Sequence, residues 1–140
     1  RRDGRIEWLG RQSAEEVFDT VGNAGFLIMP SIWYETFGRT IIESYAVGTP
    51  VIASRMGAMQ ELVQHGKTGL QFEPGNADEL SACVQKMASL EVGYDEFRAA
   101  ARAAYLAEFT AERNYEHLMG IYRRVANTET ADSLVEGAYA

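Results

Sequence analysis

Apolar residues fall along this chain in two rhythms, short continuous runs and stretches with helical spacing, and the two alternate. Ile6-Glu7-Trp8-Leu9-Gly10 reads as a short strand closed by glycine. Ser13 with Glu16 forms a capping box for a helix that carries Val17, Phe18 and Val21 and stops at Gly22 and Asn23. Residues 25–29 are apolar throughout, as in a strand buried on both faces, and Pro30 and Ser31 end it. The spacing next predicts a helix over 38–47, with Phe37, Ile41, Ile42, Tyr45 and Ala46 as its core stripe and Gly48 as its stop. A second buried strand is expected over 50–53, a short helix over 58–64 ended by Gly66, and a last strand over 69–72. Pro74 and Gly75 turn the chain, and Asn76 with Glu79 caps a helix bearing Leu80, Val84 and Met87. Two further helices are predicted over 94–107 and 111–125. Periodicity is weak from Asn127, so 127–140 reads as a frayed or disordered tail on a domain over 1–126.

Strands alternating with helices predict an α/β fold, a parallel sheet flanked by helices with right-handed crossovers. Ligands of such sheets bind outside the carboxyl ends of the strands. Two segments fall at such ends. One is Glu35-Thr36-Phe37-Gly38-Arg39-Thr40-Ile41-Ile42-Glu43, after the run 25–29, and the other is Ser54 to Gly57. In the first, Glu35 sits in the loop before a helix and Glu43 lies inside that helix. Carboxylates accept paired hydrogen bonds from sugar hydroxyls, and the helix start between them favours anions. Two hydroxyl-reading carboxylates spanning an anion site suit a ligand built as sugar–diphosphate–ribose. The plainer readings are a solvated Glu43 paired with Arg39 four positions earlier, and a loop Glu35 that favours the helix dipole.

Composition narrows the classes. At 140 residues the chain is one domain or part of one, and 46% hydrophobic content allows a core. A net charge of −7 argues against a broad nucleic-acid footprint but leaves room for a local phosphate site. The single cysteine, Cys83, shares a helical face with Leu80, Val84 and Met87 and reads as a core residue, with no internal disulfide and a reducing compartment expected. His65 and His117 give no metal-ligand spacing with it, and His65 reads as a dipole contact at a helix end. Arg98, Arg102, Arg113, Arg123 and Arg124 read as solvated helix faces, with docking of an acceptor domain or peripheral contact with an anionic membrane as the lesser alternative. No apolar run is long enough to span a bilayer, and a cytoplasmic location is expected. Because the chain begins at Arg1 rather than Met, it is expected to be cut from a longer one.

An ordered series of motifs goes further. Met29-Pro30-Ser31, Glu35-x7-Glu43 with Phe37-Gly38, Gly48-Thr49-Pro50-Val51-Ile52-Ala53, Gly57-Ala58-Met59-Gln60-Glu61-Leu62-Val63, Gly66-Lys67-Thr68-Gly69-Leu70 and Pro74-Gly75-Asn76 follow one another. In this order and spacing the chain resembles the C-terminal, donor-binding half of the retaining, nucleotide-sugar-dependent group 1 glycosyltransferases of the GT-B fold. The resemblance covers roughly residues 5–125. It implies a Rossmann-like domain and a nucleotide-sugar donor, with transfer of the sugar to an acceptor at retained anomeric configuration. It further implies that no metal and no other cofactor is needed. By the same resemblance Glu35 is the catalytic-site carboxylate and binds the donor sugar together with Phe37 and Gly38. Backbone amides of Arg39 and Thr40 approach the diphosphate, Glu43 binds the ribose hydroxyls, and the base passes Gly10 and Arg11. The family's Arg/Lys pair and its N-terminal acceptor domain lie upstream of this chain's start, so an incomplete donor domain, inactive alone and with an open sheet edge, is expected. Thr36 and Ala58 depart from glycines frequent in relatives. The alternatives are a non-catalytic sugar-nucleotide-binding or assembly module of the same fold, and a GT-B sugar-nucleotide epimerase.

Overall fold

A computed structural model describes residues 3–90 and 93–136, the side chains of 127–136 excepted. Its centre is a parallel sheet in the order β1 (Leu27–Met29), β2 (Val51–Ser54), β3 (Gly69–Phe72). Leu27 pairs with Val51 and Val51 with Gly69, so the three strands start in register, and β1 ends one residue before β2 and β3 at the carboxyl side. Around them run α1 (Ala14–Asn23), α2 (Arg39–Ala46), α3 (Gly57–Leu62), α4 (Ala77–Ala88) and α5 (Tyr94–Glu108), and α6 (Ala111–Glu136) follows in the chain. The expected α/β class, with a parallel sheet and flanking helices, is the one observed. The chain divides into two compact units, Arg1–Tyr105 and Leu106–Ala140. In the second, α6 is helical past Val125, where the sequence pattern ends it, and the tail expected over 127–140 falls partly outside the described residues.

The period-two alternation of β2 sorts the core into two layers. Val51 and Ala53 face one side with Ile41 and Tyr45 of α2, Met59 of α3 and Ala101 of α5. Ile52 faces the other with Leu70, Phe72 and Met87, against which Cys83, Tyr94 and Phe97 pack. Cys83 is thus the packing residue the helical pattern predicts, and burial pushes its thiol pKa up. Both predicted caps are present: Ser13 and Glu16 reciprocate at α1, and Asn76 accepts from the Glu79 amide at α4.

Four expectations are corrected. Residues 6–10 form no strand, and Trp8 is 87% exposed; a strand needs a neighbour to bond its backbone, and none of the described strands pairs with this run. β1 is not buried on both faces, since it lies at one edge of the described sheet and Ile28 is 38% exposed. Arg98 and Arg102 are not simply solvated. From α5, Arg98 donates to the carbonyls of Gly22 and Val47 at 3.4 Å, and Arg102 donates to that of Ala46. They cap the carboxyl ends of α1 and α2, where orphan carbonyls and the helix dipole favour a cation. His65 lies beyond the end of α3, where its Nδ1 accepts from the Gln71 amide at 2.9 Å.

Tyr45 ties α2 to the loop before β3. Its hydroxyl donates to Thr68 Oγ1 at 2.6 Å and lies 3.2 Å from the Leu62 carbonyl, while Thr68 Oγ1 accepts from the Gln64 amide at 2.9 Å. Burial pushes the Tyr45 pKa up to about 12 from 10.0. The folded state therefore holds the proton more tightly than the unfolded one. This contribution is fully present below about pH 10 and is lost as pH rises through about 12. Urea midpoints taken across that window are expected to fall with pH in the parent. In Tyr45→Phe they should fall less, from a starting stability lower by about 1 kcal/mol. Equal slopes in both proteins would count against the buried hydroxyl as the cause.

Candidate functional site

The Glu35 loop leaves β1 at its carboxyl end and reaches the start of α3, which follows β2 on the same side of the sheet. The Glu35 carbonyl accepts from the Ala58 amide at 3.3 Å. Gly57 makes this approach achievable: its φ is +51°, and a Cβ there would stand 3.2 Å from the Tyr34 ring and 3.3 Å from the Glu35 carbonyl oxygen. Both sequence segments singled out at strand ends are thus brought into contact through backbone, leaving the half-buried Glu35 side chain clear of that bond.

Gly38 begins α2 in the left-handed region, at φ +69°, buried and with no side-chain cap. The Arg39 and Thr40 amides head the helix and have no intrahelical acceptor. Charge is arranged the same way. Among the described helices, α1, α4, α5 and α6 carry acidic residues in the first turn, whereas α2 and α3 carry none. The two helices that start beside Glu35 therefore keep their positive ends free of competing carboxylates.

Arg39 Nε donates to Glu43 Oε1 at 2.7 Å, with Arg39 82% and Glu43 28% exposed. The plainer reading of Glu43, a helix residue paired with Arg39, is realised in this respect. Phe37, predicted in the core stripe of α2, is 63% exposed and stands in a loop whose Ile32, Trp33 and Tyr34 are exposed as well. The stripe is carried by Ile41 and Tyr45 instead, because the helix starts at Arg39 and Phe37 lies outside its period. Thr40 is exposed, as are Gly10, with φ +70°, and Arg11. Among the described residues no hydrogen bond or ion pair joins Gly10 or Arg11 to the Glu35–Glu43 segment. Ser54, at the carboxyl end of β2, has a buried hydroxyl without a hydrogen-bond partner among the described residues. A cavity of about 230 Å³, lined by Gly66, Lys67, Glu96, Phe97 and Ala100, includes none of these groups. Gly66 and Lys67 precede β3, so it lies at the amino end of the sheet, away from the carboxylates.

Residues 3–124 match the family of glycosyl transferases group 1, and the chain belongs to that family. Among its relatives, a sucrose synthase of Acidithiobacillus caldus is 30% identical over 86% of this chain and 16% of its own length. A D-inositol 3-phosphate glycosyltransferase of Mycobacterium leprae is 30% identical over 91% of this chain and 30% of its own length. Among solved structures, sucrose-phosphate synthase of Thermosynechococcus elongatus superposes with a TM-score of 0.80 at 29% identity, over 89% of this chain and 31% of that one. HepE of Anabaena in complex with UDP gives a TM-score of 0.64 at 25% identity, over 80% of this chain and 29% of that one. The chain thus spans less than a third of the length of each of these proteins.

Proposed function

We propose that this chain is the donor-binding part of a retaining, metal-independent glycosyltransferase that moves a hexosyl group from a nucleoside diphosphate sugar to an acceptor. The observation that carries the reading is the uncapped, acid-free start of α2, flanked by Glu35 and Glu43 at the carboxyl side of a parallel sheet. Membership of the family and the UDP in the HepE complex support it. Glu35, Phe37 and Gly38 receive the donor sugar, with Glu35 placed at the reacting end. The Arg39 and Thr40 amides face the diphosphate, Glu43 accepts from the ribose hydroxyls, and Gly10 and Arg11 border the base. The bond from the anomeric carbon to the diphosphate oxygen breaks, a bond to the acceptor oxygen forms on the same face, and the nucleoside diphosphate departs with the bonding electron pair and takes up the proton lost by the acceptor hydroxyl. Here the domain contributes positioning and preorganised dipoles at the leaving diphosphate. No helix among the described residues is long and apolar enough to cross a membrane, and we place the reaction in the cytoplasm. The test is a calorimetric titration of the whole protein that carries this chain with uridine, guanosine and adenosine diphosphate sugars. Saturable binding of one nucleotide class is expected; a folded protein that binds none would return the domain to an assembly role.

A further inference from the structure

In its charges the first turn of α2 runs against helix chemistry. Arg39 is the first residue of the helix, where a cation opposes the dipole, and Glu43 follows it in the less favourable order for an i,i+4 pair. Helix stability therefore gives little reason for the two to be there. Their contact is nonetheless well made: Arg39 Nε stands 2.7 Å from Oε1, the short distance of a charge-assisted hydrogen bond. The partners differ in setting, Glu43 being mostly shielded and Arg39 mostly open. The bond engages Oε1 and takes no part of Oε2. A carboxylate with one oxygen held is restricted in rotation while it keeps lone pairs for further donors.

We propose that Arg39 is a positioning residue: its guanidinium fixes the Glu43 carboxylate so that it reads a ribose diol, making the domain selective for ribonucleotides over 2′-deoxyribonucleotides. This rests on the donor-site reading above. It adds to the diphosphate role of the Arg39 amide a separate task for the side chain, performed through Glu43. Without the guanidinium, the carboxylate is free to rotate, and ordering it becomes part of the cost of binding.

Matched nucleotide pairs test the inference: UDP with 2′-deoxy-UDP, GDP with 2′-deoxy-GDP and ADP with 2′-deoxy-ADP, titrated into the whole protein and its Arg39→Gln, Arg39→Lys and Glu43→Gln variants. The parent is expected to prefer the ribonucleotide of its base by about tenfold, as for one lost hydrogen bond to a charged group. Arg39→Gln should reduce that preference to about threefold or less, as should Glu43→Gln, and Arg39→Lys should restore part of it. If Arg39→Gln weakens both members of a pair equally and leaves their ratio intact, the side chain reads phosphate charge; the inference falls while the donor site stands. An absence of ribose preference in the parent overturns it likewise. If the folded parent binds none of the nucleotides, the donor-site reading fails and this inference with it.

Discussion

Gly69→Ala is expected to leave little native protein. Gly69 pairs with Val51 in the parallel register of β2 and β3, and a Cβ on it would lie 1.8 Å from the Val51 carbonyl oxygen and 2.8 Å from its carbon. The obstacle is backbone, so no side-chain rotamer relieves it. β2 is also held from its other side by β1, and Val51 is fully buried in the core. Separating the strands would break the pairing on which both core layers stand. The cost is put at about 3 kcal/mol or more, a large share of a typical domain stability of about 5–15 kcal/mol. Gly75→Ala is the comparison: unlike Gly69 it lies at positive φ, +79°, but a Cβ there meets nothing within 4 Å. It should cost only about 1–2 kcal/mol for the left-handed conformation. Urea midpoints of the whole protein and both variants measure the difference. A Gly69→Ala midpoint equal to that of Gly75→Ala would mean that the sheet yields more easily than its packing implies.

The physical reason that Gly69 must be glycine is invisible in the sequence, where it is a motif residue opening the last predicted strand. The distinction between what could and could not be read runs along this line. Features set by neighbours in sequence were legible: the Ser13–Glu16 capping box, the Asn76 cap, the apolar runs of β2 and β3, and the candidate Arg39–Glu43 pair. Features that need a distant partner were not. Residues 6–10 carry a strand's composition, but composition supplies no neighbouring strand. Arg98 and Arg102 look like surface arginines because the carbonyls they cap, on Gly22, Val47 and Ala46, lie over fifty positions earlier. For the candidate site, the carboxylate spacing and its place after a strand were readable. The bond from the Ala58 amide to the Glu35 carbonyl, which anchors the loop, required the fold.

Because that anchor is backbone, the two carboxylates can be removed without dismantling the loop, and their expected effects differ. Glu43, assigned to the ribose end of the donor, is far from the bond that breaks. Glu43→Ala should weaken the donor tenfold or more, about 1.4 kcal/mol, and appear chiefly as a raised KM for the nucleotide sugar. Glu35, under the proposed assignment to the sugar, would act where charge and geometry change on the way to the transition state. Interactions that strengthen there appear in kcat, so Glu35→Ala should lower kcat/KM by roughly 10²–10³, about 3–4 kcal/mol, with most of the loss in kcat. Steady-state transfer assays on the whole protein, with circular dichroism to confirm folding, separate the two. Glu35→Gln refines the result, since it preserves hydrogen-bonding shape but removes charge. Recovery of activity in Glu35→Gln would assign the residue to holding sugar hydroxyls, whereas continued loss would assign it to the charge of the transition state. A Glu35→Ala protein with kcat/KM within about threefold of the parent would remove Glu35 from the catalytic site.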